Sequence, residues 1–68
     1  MSVKCTVIIQ QEDEWFVATD VATGVASQGK TIDASLLNLK EALSLYFEDN
    51  APEGAEPSVY VTTMEVAI

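Results

Sequence analysis

Residues Val25–Asn50 read VASQGKTIDASLLNLKEALSLYFEDN, and this stretch decides the fold. A short β-type run, a glycine turn and one long helix follow one another here, and no other part of the chain has helical periodicity of comparable length. Gly29 ends the strand, and Thr31 is placed to cap the first-turn amides. Asp33 falls at the positive end of the helix dipole. Ala34 leaves the capping box incomplete, since that motif needs Glu or Gln three residues after the cap. Asp49-Asn50, followed by Pro52 and Gly54, stops the helix. At about 100° per residue, Ile32, Leu36, Leu39, Leu43, Tyr46 and Phe47 share one face, the expected core stripe. Ala34, Leu37 and Leu45 fall on the other side, among Glu41 and Glu48. Apolar residues there mark a second contact surface.

The chain outside the helix reads as β structure. Val3 to Gln11 is rich in β-branched residues, with Val3, Cys5, Val7 and Ile9 on the expected core face. Glu12-Asp13-Glu14 breaks that run with three adjacent carboxylates and makes a solvated hairpin turn, without the Asn-Gly signature of the tightest loops. Trp15 to Asp20 is the second strand, and its pattern leaves open which side meets the helix. Trp15 either covers the core edge or anchors an interface. Val21 to Gly24 is a loop, and Val25 to Gln28 a short third strand. After the helix, Ala51 to Pro57 is a proline-stiffened connection. Ser58 to Ile68 (SVYVTTMEVAI) is a closing strand, either a sheet edge or a pairing site for another chain. The expected class is α+β: a small antiparallel-rich sheet in the order β-β-β-α-β, with one helix on one face.

Sixty-eight residues make one domain, 1–68. A chain this short buries only about 60% of its unfolded surface, so its core is marginal. Cys5 is the only cysteine and histidine is absent. An intrachain disulfide is therefore excluded, as is a Cys/His zinc site. Association with itself, as a homodimer or homotetramer, is the stabiliser left. The lone thiol fits a reducing, cytoplasmic compartment. Three lysines stand against eleven carboxylates, a net charge of −8. Such a surface repels phosphate backbones, so direct nucleic-acid binding is not expected. A basic protein partner is favoured instead. No apolar run approaches the roughly 20 residues that span a bilayer. The N-terminus lacks a signal-peptide pattern, so Met1 is the expected start of the folded protein.

Little in the chain points to catalysis. Without histidine, a nucleophile has no base of the usual kind. Cys5 lies on the presumed buried face, where a thiol acts as a small hydrophobe. Asp20, Asp33 and Glu41 are the carboxylates available for acid–base work. Asp33 serves the helix start, however, and Glu41 sits on the outer helix face. The adjacent carboxylates of the turn cannot all converge on a cation. Gly29-Lys30-Thr31 lacks the upstream glycine spacing of a phosphate loop. The expectation is a protein without enzymatic activity, metal or cofactor.

Across its length the chain resembles the N-terminal domain of HicB-type antitoxins. The opening strands CTVIIQQEDEWFVATD carry the resemblance, with Ser27-Gln28-Gly29-Lys30-Thr31 and the helix segment from Asn38 to Glu48, NLKEALSLYFE. The loop from Asp20 to Val25 keeps only the glycine of the family's turn. Ala34 and Leu37 stand where acidic residues are more usual. The resemblance implies a degraded ribonuclease H-like layer without the metal-binding carboxylates. It also implies a role in neutralising a small basic HicA-type mRNA-cleaving toxin by occlusion. The C-terminal DNA-binding domain common in that family is not expected here. A stand-alone homo-oligomeric module with no toxin is the alternative. The expected partner-binding residues are Glu12, Asp13, Glu14, Trp15 and Asp20. The expected oligomer interface is Ala34, Leu37, Glu41, Leu45, Tyr60, Thr62 and Met64.

Overall fold

The computed structural model describes residues 2–52 and 58–68. Four elements follow in order: β1 (Val7–Glu12), β2 (Trp15–Asp20), β3 (Ala26–Gly29) and α1 (Ile32–Asp49). The strands form an antiparallel sheet in the order β1-β2-β3. Glu12 pairs with Trp15, so Asp13 and Glu14 alone make the hairpin loop. Asp13 takes a positive φ of 53°, a region that Asp tolerates better than most residues. The second strand has its expected bounds. The first begins four residues later than expected, and the third is shifted by one.

The register puts Val7, Ile9, Phe16, Ala18 and Asp20 on one sheet face, opposite Ser27 and Gly29 of β3. Helix α1 lies across that face, over β3 and β2. Ala18, Leu39 and Leu43 are the buried apolar core among the described residues, with Cys5, Val7, Val25 and Phe47 packed around them. A buried leucine contributes about 1.5–3 kcal/mol, so a core of this size is thin.

Three contacts fix how the helix sits. The Thr31 hydroxyl accepts from the Ala34 amide at 3.0 Å, which is the cap the sequence calls for. Gly29 brings the backbones together: a methyl added to it would lie 2.6 Å from the Ser35 nitrogen and 2.8 Å from the Ala34 backbone carbon. Farther along, the Asn38 side-chain amide donates to the Gln28 carbonyl at 2.8 Å. The start of α1 is thus held on the end of β3, and β1 is left largely uncovered by the helix.

This placement corrects the expected core stripe. Ser35, Leu39 and Leu43 are the buried helix positions, while Ile32 and Leu36 are exposed. The buried face is turned toward β3, because close approach at Gly29 favours a small residue such as Ser35 there. Ser35 keeps its hydroxyl satisfied by donating to the Ile32 carbonyl at 2.7 Å.

The closing strand is a second correction. Residues 58–68 form no strand and every one is exposed. Their β-type alternation is real, but they pair with no strand among the described residues. The connection expected over Ala51–Pro57 lies mostly outside the described residues.

The glycines give a paired stability prediction. Gly29→Ala forces backbone apart and is expected to cost about 1–3 kcal/mol. Gly24, at a φ of 78° with open space around its Cα, is expected to cost about 1–2 kcal/mol on conversion to alanine, through backbone strain alone. Urea denaturation separates them. A Gly29→Ala protein as stable as the parent would show that the contact does not constrain the helix.

Candidate functional site

Two surfaces hold most of the residues singled out by sequence, and a third stands beside them. The first is the hairpin tip, where Glu12, Asp13, Glu14 and Trp15 stand together and exposed. Trp15 lies on the face away from the helix, and the Lys30 ammonium sits 5.0 Å from its ring centroid. A lysine placed over an indole is held by the ring quadrupole. It also fixes the ring beside the carboxylates. This stacking had no signature in the sequence, since Lys30 follows the third strand and Trp15 begins the second.

Asp20 does not belong to that surface. It lies at the far end of the hairpin, paired with Val7, and is only 1% exposed. Its Oδ2 accepts from the Thr23 amide at 3.1 Å and from the Thr23 hydroxyl at 2.6 Å. The Thr23 hydroxyl in turn accepts from the Val25 amide at 3.2 Å. Backbone bonds from Asp20 N to Val25 O and from Gly24 N to Asp20 O close the loop, each at 2.9 Å. Asp20 Oδ1 is buried and has no hydrogen-bond partner among the described residues. Its carboxylate is thus a loop organiser, inaccessible to a partner.

The second surface is the outer helix face. Leu37 and Leu45 are 67% and 60% exposed, with Glu41 exposed between them. Ala34 is half-buried and packs at Gly29, so it departs from this face.

The third surface went unread in the sequence. A groove of about 630 Å³ runs between the N-terminal segment and the helix. Val3, Cys5 and Val7 form one wall, and Leu36, Leu43 and Phe47 the other. It exists because α1 docks over β3 and β2, and that angle is invisible in a periodicity. Tyr60, Thr62 and Met64, in the uncovered C-terminal segment, are exposed.

Among the described residues, no three His, Cys, Asp or Glu side chains come together as a metal site would require. No described helix is long and apolar enough to cross a membrane. The fold and these surfaces define a small α+β domain with three surfaces open for contact. The chain belongs to the family of unknown function DUF7387, whose sequence pattern matches residues 4–65. No curated protein and no solved structure matches it.

The loop role of Asp20 is tested by substitution. Asp20→Ala strands the Thr23 donors and is expected to lower stability by about 1–3 kcal/mol. Asp20→Asn keeps an acceptor for Thr23 and is expected to recover most of that loss. Unchanged urea midpoints in the alanine protein would contradict the assignment.

Proposed function

We propose that this chain works by binding protein rather than by catalysis, as an antitoxin-like domain that occludes a small basic partner of the HicA type. The observation that carries the reading is the charge. The chain bears −8, and three of its carboxylates stand exposed at one hairpin tip beside an exposed indole. Acidic groups flanking an aromatic anchor are suited to a basic protein, because opposite charge speeds encounter and the ring supplies buried contact area. Such a domain blocks an enzyme by covering it, which requires no chemistry of its own. The HicB-like pattern in the opening strands and helix supports the same reading.

A second reading, a self-associating module without a toxin, is favoured by the apolar surface left open. Leu37 and Leu45 on the helix and Tyr60 and Met64 beyond it are all well exposed. The two readings are compatible, since a self-associated domain can still present its acidic tip.

Calorimetric titration with a purified HicA-type toxin tests the first reading. The expected result is 1:1 binding per chain that weakens with salt. The double substitution Glu12→Lys/Glu14→Lys is expected to reduce affinity about tenfold or more. Absence of binding at low ionic strength would overturn the proposal.

A further inference from the structure

The uncovered C-terminal segment and the open groove answer to each other. Residues 58–68 alternate as a strand does, with Tyr60, Met64, Val66 and Ile68 on one side and Thr62 among them. Tyr60 is 90% and Met64 79% exposed, a poor state for apolar side chains in water. Among the described residues β1 pairs with β2 alone, which leaves its other edge without a strand partner there. At the Val7 end of that strand, where residues 2–5 lead into it, lies the apolar groove. A segment needing an edge and an apolar floor is matched by an edge with an apolar floor.

The areas indicate how much surface awaits cover. The accessible surface is 5776 Å², whereas a compact 7.3 kDa chain has about 4200 Å². The radius of gyration is 13.7 Å, against about 11 Å for a compact domain of this length. If two chains each hid the excess, the interface would total about 3000 Å², in the range of obligate homodimers. Charge agrees with the location. The surface is strongly acidic overall, yet Lys40 lines the groove and Lys4 lies on the flanking segment. The segment from 58 to 68 carries one charged side chain, Glu65. The groove is thus a place where an acidic chain can receive a second copy with little repulsion.

We propose that two copies of this chain exchange residues 58–68, each laying its segment along the free edge of the other's β1 with alternate side chains in the groove. The exchange is isologous, so both copies give and receive the same strand. It extends each three-stranded sheet by one strand and covers both grooves at once. This inference rests on the self-associating reading and adds its geometry.

The test uses the full chain. Light scattering at micromolar concentration is expected to give a dimer or a multiple of one. Tyr60→Glu/Met64→Glu is expected to raise the dimer dissociation constant about 100-fold or more, with the far-UV spectrum of sheet and helix retained. Leu37→Glu is expected to leave the exchanged dimer intact. In a mixed sample of labelled and unlabelled chains, filtered NMR is expected to show contacts between residues 58–68 of one copy and β1 of the other. A monomeric parent protein would overturn self-association and the exchange together. A dimer split by Leu37→Glu but not by Tyr60→Glu/Met64→Glu would keep self-association and overturn the exchange. Contacts from the segment to β1 within one chain would mean that the chain covers its own groove, and would also overturn it.

Discussion

The close approach of Gly29 to the first turn of α1 is the constraint on which the rest of the structure depends. A side chain at this position would meet helix backbone, and backbone cannot swing aside as a flexible side chain can. With Thr31 capping the next turn and Asn38 tied to Gln28, the helix axis is pinned to the β3 side of the sheet. Leu39 and Leu43 then reach Ala18. What the helix gains on β3 it leaves bare on β1.

That asymmetry gives the domain two kinds of surface. At the hairpin tip the chain is acidic, with Trp15 fixed by Lys30. Where residues 2–5 lead into β1 it is apolar, with a groove between Val3, Cys5 and Val7 and the helix, and Lys40 in its lining. The first is where the proposed basic partner would bind, and the second is where residues 58–68 of a second copy are proposed to lie. Because the tip and the groove are separate, a domain completed by a second copy would still present its carboxylates. Asp20 stands apart from both, holding the loop that joins β2 to β3.

Local chemistry was legible in the sequence. Alternation located the strands, the Thr31 cap and Asp33 located the helix start, and Asp49-Asn50 its end. These signals act between neighbours in the chain, so no tertiary information is needed. The core stripe was read less well, because helical periodicity gives relative but not absolute orientation. Leu36 differs from Leu39 only in where the helix docks, and docking is set by Gly29, which as a sequence signal reads simply as a turn. The Lys30–Trp15 stack and the burial of Asp20 were hidden for the same reason. The C-terminal run was read as a strand from its alternation. Strand formation needs a pairing partner as well as a pattern, and among the described residues this run is paired with none.

Amide hydrogen exchange measured as a function of protein concentration tests most directly whether the single chain is structurally incomplete. Opening of an edge strand reports its local stability, and association protects only what it covers. Amides of Val7–Glu12 and of residues 58–68 are expected to exchange rapidly in dilute protein and to gain protection together as concentration rises. The helix amides near Gly29 would remain protected throughout. Exchange of β1 and residues 58–68 that is independent of concentration would contradict the account.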